Sequence, residues 1–385
     1  DFIRALMAYV STARDGASAN GIIEFQRQER TFASTDGAFC TQTVYNSLGN
    51  QSFFAIGLRD TTSMSRYGVR YIPEISPNGA GYESLSEAGI IDRIPEYLSA
   101  ARSMFDMQPV NPSRYDVVFD GHAMAAIASA TIGSALELDR ALGLEANAGG
   151  TSYLAPIEEI LGKSVSAPFL NIMADRSLAG GAATVKWDDE GVEPKTFPLI
   201  QQGTLVGYAT NREHATTIAD WYRSHHMSTE SRGCAASGSA MHFPLVYTPN
   251  LHIEPSRETA TLDDLIRSVD DGILIKGGGC MPDHQLASGQ GIGELVYRIR
   301  KGRIAETLMM GTGYLFRSAE LWKNIIALGD ESTVAQRGFT LKKGEPEQSA
   351  VHSVRAPAAL VRNVSVLDIF QRIRATADSL QRIRL

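Results

Sequence analysis

Val117-Val-Phe-Asp-Gly-His-Ala-Met-Ala-Ala-Ile-Ala-Ser129-Ala130-Thr131-Ile132-Gly133-Ser134-Ala135-Leu136-Glu137-Leu138-Asp139 is the stretch of this sequence from which the fold is read. Just ahead of it and at its start, Tyr115-Asp-Val-Val-Phe119 is rich in β-branched and aromatic residues and suits a strand. From His122 alanine takes over and predicts one helix over 122–143, because alanine loses no side-chain entropy in a helix. Ala126, Ala130, Gly133 and Ser134 give that helix a face of small side chains, against which another backbone can pack closely.

Working outward, Met107-Gln-Pro-Val-Asn-Pro-Ser113 breaks every periodicity and sets a domain boundary near Pro112. Before it, residues 1–14 read as the end of a helix, and the alternating stretches Gly21–Phe25 and Ser52–Ile56 read as strands of an antiparallel sheet. Leu85, Ala88, Ile91, Ile94, Leu98 and Ala101 recur at helical spacing, interrupted by Pro95, and predict one or two helices. Beyond the alanine-rich helix, strand-like runs lie at Phe169–Met173, Thr184–Trp187 and Leu205–Tyr208, and Ser224–Ala240 is polar enough for a long loop. Leu262–Val269 reads as a short helix stopped by Gly272, and 291–308 as two strands joined across Lys301-Gly302. The predicted class is α+β, with a sheet-and-helix domain over 1–112 and a second domain over 113–385.

Composition narrows the function classes. With 43% hydrophobic and 21% charged residues over 385 positions, the chain suits a globular protein with a sizeable core. A net charge of -7 argues against a broad phosphate-neutralising surface, so nucleic acid is not expected as a partner. Cys40, Cys234 and Cys280 are too few and too scattered for a disulfide framework or a four-thiolate zinc site, which points to a reducing compartment. No apolar run approaches the roughly 18 residues that cross a bilayer, and the opening Asp-Phe-Ile-Arg is no signal peptide, so a cytoplasmic location without membrane contact is expected.

Local motifs of catalysis are absent: no paired-histidine zinc helix, phosphate loop or nucleophile elbow is found. Gly277-Gly278-Gly279 and the alternation of Gly289, Gly291 and Gly293 lack the strand-turn-helix setting of a nucleotide site and read as turns. His225 and His226 are adjacent and so point apart on either a helix or a strand, which disfavours a shared metal. His122 reads as a capping or core histidine near the start of its helix.

The string from Val117 to Asp139 resembles the signature helix of the TldD/PmbA family of peptide-processing metalloproteins. The resemblance extends through Asp188-Asp-Glu-Gly191, Gln202-Gly-Thr-Leu-Val-Gly-Tyr208, Asp283-His-Gln-Leu-Ala-Ser-Gly-Gln-Gly291, Tyr297–Gly302, Leu321-Trp322, Ala327–Asp330, Gly344–Gln348 and Ala356-Pro-Ala-Ala359. It covers about Tyr115 to Val366 and is thin before that, where Asn46-Ser-Leu-Gly49 and the helix-then-strand order carry it. Metal-bearing members have His-Glu-x-x-x-His followed by Glu-x-Asp, and a cysteine as third ligand in Cys-Gly-Lys-Gly-Gln-Pro. This chain keeps Glu137 and Asp139, but its histidine positions are Ser129 and Ser134, its general-base position is Ala130, and its cysteine position is Leu341. The resemblance implies a C-terminal domain of largely antiparallel, barrel-like strands around a cleft, bordered by Glu137, Asp139 and the Ser231-Arg232-Gly233 loop. It also implies further chain upstream, so that the first domain is incomplete at its N-terminus.

Serine hydroxyls, alanine and leucine do not replace imidazole and thiolate as transition-metal ligands. Histidines five apart on a regular helix point about 140° apart, so metal-bearing members need a widened turn, which serines have no reason to retain. The family pairs a metal-bearing subunit with a metal-free one. The resemblance therefore implies a non-catalytic, metal-free subunit of a heterodimeric peptidase or amide hydrolase, with no cofactor of its own. Zinc or a similar divalent metal is expected in a TldD-like partner, and a peptide or peptide-like molecule as substrate. Two alternatives stand beside it: a metal-independent hydrolase using Ser129 or Ser134 with His122, and a metal-free peptide-binding homodimer.

Overall fold

The structure is a computed structural model and describes residues 4, 8, 17–47, 53–59, 67–72, 75–87 and 90–369. The helix end expected over 1–14 and most of the turn after Ser47 lie outside those residues, Arg4 and Ala8 apart.

Ala17–Ile22, Phe53–Arg59 and Tyr67–Tyr71 form an antiparallel three-stranded sheet with the second strand in the middle. The helix Ile94–Ser103 lies on it and buries Ile94, Tyr97 and Ala101 against Ile56, Ile72 and Leu85. Pro95 starts that helix rather than breaking it, because a first-turn residue has no intrahelical acceptor for its missing N–H. A separate short helix, Glu83–Glu87, precedes it. Phe25–Ala33 and Phe39–Ser47 form a long antiparallel hairpin closed by Ser34–Ala38, with a single further bridge from Ser47 to Asn78.

The larger part carries two large sheets and a two-stranded one. In the ten-stranded sheet, Ser113–Phe119 lies between Asp271–Lys276, to which it is parallel, and Ala359–Asp368, to which it is antiparallel. Val117, Val118 and Phe119 are fully buried, as befits a strand covered on both faces. The six-stranded sheet runs Thr204–Leu205, Phe197–Gln201, Ile172–Ala174, Leu251–Ile253, Gln348–Ala356, Ala335–Lys343. Most pairings are antiparallel, and the fold is α+β as expected. The described strands form open sheets and no closed barrel, so the barrel-like enclosure expected by resemblance is two sheets packed across a shared core. Thr184–Trp187 is irregular, with a bend at Lys186-Trp187, rather than strand. The Ser224–Ala240 loop forms as expected, apart from Ala235-Ala236 pairing with Leu245-Val246.

Candidate functional site

The signature segment begins where Asp120 caps a helix, its Oδ1 accepting from the backbone N–H of Ala123 at 2.8 Å and of Gly277 at 3.0 Å. Gly121–Ala128 is α-helical, Ser129–Gly133 is wound as a π turn, Glu137 is extended, and Leu138–Ala141 is helical again. The single helix expected over 122–143 is thus broken in two places. The widened turn is present although both histidine positions are serine, which corrects the expectation that serines abandon it. Serine itself supports the turn: Ser134 Oγ donates to the Ser129 carbonyl five residues back, at 3.1 Å. Close backbone approach occurs at Gly121, at the start of the helix, while Gly133 on the small-residue face packs against its own segment and the Leu251 side chain. A Cβ on Gly133 would lie 2.9 Å from the Ala128 carbonyl and from Leu251, and one on Gly121 would lie 2.6–2.8 Å from backbone atoms of Thr333, Ala335 and Ala356.

The element packed there is the hairpin Ala335–Lys343/Gln348–Ala356. Its register pairs Phe339 with His352, Leu341 with Ala350 and Lys343 with Gln348, so these side chains share one face. His352 is fully buried and its Nε2 lies 2.7 Å from Ser129 Oγ, while Nδ1 lies 3.1 Å from the Pro249 carbonyl. A carbonyl only accepts, so this network assigns the proton to Nδ1 and makes Ser129 Oγ the donor to Nε2. Burial pushes the His352 pKa down to about 4, against weaker opposition from the Pro249 carbonyl and Glu137, and keeps the ring neutral near pH 7. Ser129's hydroxyl partner is therefore His352, not the His122 considered from the sequence.

Lys343 Nζ lies 3.0 Å from Glu137 Oε2 and 2.6 Å from Asp139 Oδ2. Glu137 also accepts from Arg140 Nε at 2.6 Å and from the backbone N–H and hydroxyl of Thr248, both at 2.8 Å. Burial alone would raise the Glu137 carboxyl; Lys343 and Arg140 outweigh it and hold the group well below the usual carboxylate range. Burial raises Asp139. Both carboxylates are enclosed in protein, so they fasten the hairpin to the signature segment and do not border a cleft. Arg232 is 6% exposed, its guanidinium 4.8 Å from the centre of the Tyr222 ring and 5.3 Å from that of Phe197. It too is a packed residue rather than a cleft wall.

A cleft does exist, between the inner face of the Phe25–Ser47 hairpin and the larger part. A cavity of about 940 Å³ is lined by Arg30, Gln42, Asp189, Arg212, Ser237 and His242 among others. A second, of about 290 Å³, shares Gln28, Arg30, Ser237 and Gly238 with it. Arg30 Nη1 reaches Asp189 Oδ1 at 3.2 Å, and Asp36 pairs with Arg212 at 3.1 Å. Gln42 grips the Lys186-Trp187 backbone: its Oε1 accepts from the N–H groups of Lys186 and Trp187, and its Nε2 donates to the Trp187 carbonyl at 2.7 Å. Sequence reasoning missed Arg30, Gln42, Lys343 and His352. Lys343 had a signal, two residues beyond Leu341 and so on its face of a strand.

Residues 112–368 match the family model described as the PmbA/TldA metallopeptidase C-terminal domain. The chain belongs to the PmbA/TldD family. It is 23% identical over 236 residues to a metalloprotease of Methanocaldococcus jannaschii and 28% identical over 207 residues to a metalloprotease TldD homologue of Buchnera aphidicola. Those matches take in 60% and 52% of this chain but 46% and 38% of the relatives, so they span less than half of the relatives' length. TldE from Thermococcus kodakarensis superposes with a TM-score of 0.66 at 15% identity, over 94% of this chain and 72% of that one. A Thermotoga maritima protein gives 0.66 at 17% identity, over 95% and 73%. These likenesses establish the fold.

The PmbA/TldD frame raises the question of a metal at Ser129, Ser134 and Leu341. The residues present do not fit one. Leu341 and Ala130 offer no lone pair, Ser129 Oγ is given to His352, and Ser134 Oγ to a carbonyl. Among the described residues no group of three or more His, Cys, Asp or Glu side chains is arranged to hold a metal ion. No helix among them is long and apolar enough to cross a membrane.

Proposed function

We propose that this chain is the metal-free subunit of a TldD/PmbA-type heterodimer, holding one wall of a peptide-binding cleft for a metal-bearing TldD-like homologue. Zinc or a similar divalent ion belongs to that partner, and the complex works in the cytoplasm on peptides or peptide-like intermediates. The observation that carries this reading is the Ser129–His352 hydrogen bond. A buried neutral imidazole and a serine stand at the position that the resemblance gives to the first histidine of the signature, inside a π turn. A frame preserved around a site without metal donors is suited to holding a partner or a substrate. The cleft beside the Phe25–Ser47 hairpin, where Gln42 already holds backbone amides, supports a peptide as ligand. The chain is further read as two domains, 1–112 and 113–385.

The test is co-expression with a metal-bearing homologue, followed by native mass and a metal count per chain. One-to-one assembly, with metal in the partner only and hydrolysis requiring both, supports the reading. A lone chain holding a stoichiometric transition metal overturns it.

One observation favours a second reading, a metal-independent hydrolase. Ser129 Oγ, His352 Nε2 and the Pro249 carbonyl on Nδ1 form a nucleophile, base and orienting acceptor in sequence. Ser129 is only 3% exposed and His352 fully buried, so no substrate carbonyl reaches the hydroxyl in this conformation. Loss of hydrolysis by a folded Ser129→Ala complex would favour this second reading.

A further inference from the structure

The smaller cavity of the cleft has a chemistry that the subunit reading does not use. Arg176 follows the strand Ile172–Ala174 and is 5% exposed. Its Nε donates to the Ala183 carbonyl at 3.1 Å, and its Nη1 to the carbonyls of Gly233 and Ala235 at 2.8 and 3.3 Å. No carboxylate forms an ion pair with it among the described residues. The two nearby acids are engaged elsewhere: Asp188 accepts from the N–H groups of Glu190, Val192 and Ala235, and Asp189 from Arg30 and Ser237. Arg176 is therefore a buried cation held by neutral carbonyls, with Nη2 unused, and it lines the cavity of about 290 Å³. Asp188 and Asp189 act on its charge from beyond bonding distance, so Nη2 still lacks an acceptor at hydrogen-bond distance, which a carboxylate oxygen would supply.

The opposite wall comes from the hairpin. Asn46 lies on its inner face, 8% exposed, and its Oδ1 is buried without a hydrogen-bond partner. Arg30 adds a second guanidinium, and Val44, Val185 and Val351 line the space between. A donor cation and an amide acceptor thus face one small cavity with an apolar flank. The last residue of a peptide presents the complement: a carboxylate, an N–H one residue's length away, and a side chain. The volume suits one residue rather than an extended segment.

We propose that this cavity is a terminal-carboxylate subsite, which takes the C-terminal residue of a peptide with its carboxylate on Arg176 and its N–H on Asn46 Oδ1. The proposal rests on the reading of the cleft as a peptide site and adds that the cleft binds chain ends. Arg30 then serves as a hinge between chambers, since its bond to Asp189 lies between the subsite and the larger cavity that holds the rest of the peptide.

The experiment is equilibrium binding to the full chain, by fluorescence anisotropy, of three short labelled peptides of one sequence: the free acid, the C-terminal amide, and the amide with an internal Glu. The free acid is expected to bind at least about tenfold more tightly than the plain amide. Asn46→Asp, nearly isosteric, places a fixed carboxylate in the cavity that Arg176 lines and should erase that preference, with acid and amide then binding alike. Arg176→Lys, if folded, should weaken the acid alone. Equal affinity for acid and amide, or no binding of either, overturns the subsite. An internal-Glu amide that binds as well as the acid shows a general carboxylate site and overturns the terminal assignment. All of these outcomes are read on the chain alone, so they are independent of whether a heterodimer forms or hydrolyses anything.

Discussion

Lys343 places its ammonium 2.6 Å from the Asp139 carboxylate, with both side chains shut off from solvent. The contact ties the hairpin Ala335–Ala356 to the end of the signature segment, and Glu137 and Arg140 complete the cluster. Charges buried this deeply are stable only when every member is present, because a lone survivor has lost its water without gaining a partner.

Lys343→Met is therefore expected to destabilise the chain by about 3–5 kcal/mol. Denaturant unfolding at neutral pH measures it. A loss within about half a kcal/mol, the size expected of an ordinary surface change, would mean that the cluster does not anchor the hairpin.

The pH dependence follows from His352 and Glu137. His352 has a folded pKa of about 4 against 6.5 in the unfolded chain, so between those values the unfolded state binds more protons. Its contribution is full above pH 6.5 and is lost as the pH falls towards 4, for a total of about 3 kcal/mol. Glu137, also depressed, adds stability that is present above about 4.5 and is lost below it as the pH falls through its folded value. Unfolding free energies at pH 7 and pH 5 should differ in that direction, and His352→Gln should flatten the upper part of the slope. An unchanged slope in a folded variant would remove His352 as its source.

Ser129→Ala takes away the donor to His352 Nε2 and leaves a buried acceptor unpaired, at about 1–3 kcal/mol. Under the proposed subunit reading, hydrolysis by the co-expressed pair should nevertheless be nearly intact, as it should for Ser134→Ala. Stability and rate thus move separately, and a folded Ser129→Ala complex that has lost hydrolysis would reverse the assignment.

The resemblance places Arg232 in a loop at the border of the cleft. Its guanidinium instead lies over Tyr222 and Phe197, and Arg232→Ala should cost roughly 2 kcal/mol or more through lost packing and cation–π contact. Thermal unfolding of the variant is the check, and a midpoint like that of the parent would restore the cleft-border reading.

How far the sequence reveals this protein depends on whether a feature is local. Strand Ser113–Phe119 and the two strands flanking Lys301-Gly302 were legible because periodicity and turn chemistry are written in neighbouring residues. Pro95 was ambiguous because a proline inside a helix and one in its first turn look alike until the start is known. The π turn was misjudged, since the reasoning gave it to the metal, whereas the Ser134 hydroxyl and the close packing at Gly133 support it without one. His352 was out of reach: it lies 223 positions from Ser129, and only the hairpin register puts it opposite Phe339 and against the helix. Asn46 and Arg176 line one cavity for the same non-local reason.

The π turn at Ser129–Gly133 makes rebuilding the signature a demanding test. With Ser129→His, Ala130→Glu and Ser134→His, residues five apart already share a side of the helix, so turn geometry is not the obstacle. Two other features are. Leu341 still provides no third donor, and the imidazole of His352, now 2.7 Å from Ser129 Oγ, occupies the space a histidine at 129 would enter. The triple variant is expected to lose about 1–3 kcal/mol through overpacking and to carry no stoichiometric metal. Denaturant unfolding and elemental analysis after gel filtration measure the two effects. Tight metal binding and independent hydrolysis by the triple variant would show that His352 yields its place, and that the site is closer to its metal-bearing relatives than the Ser129–His352 bond implies.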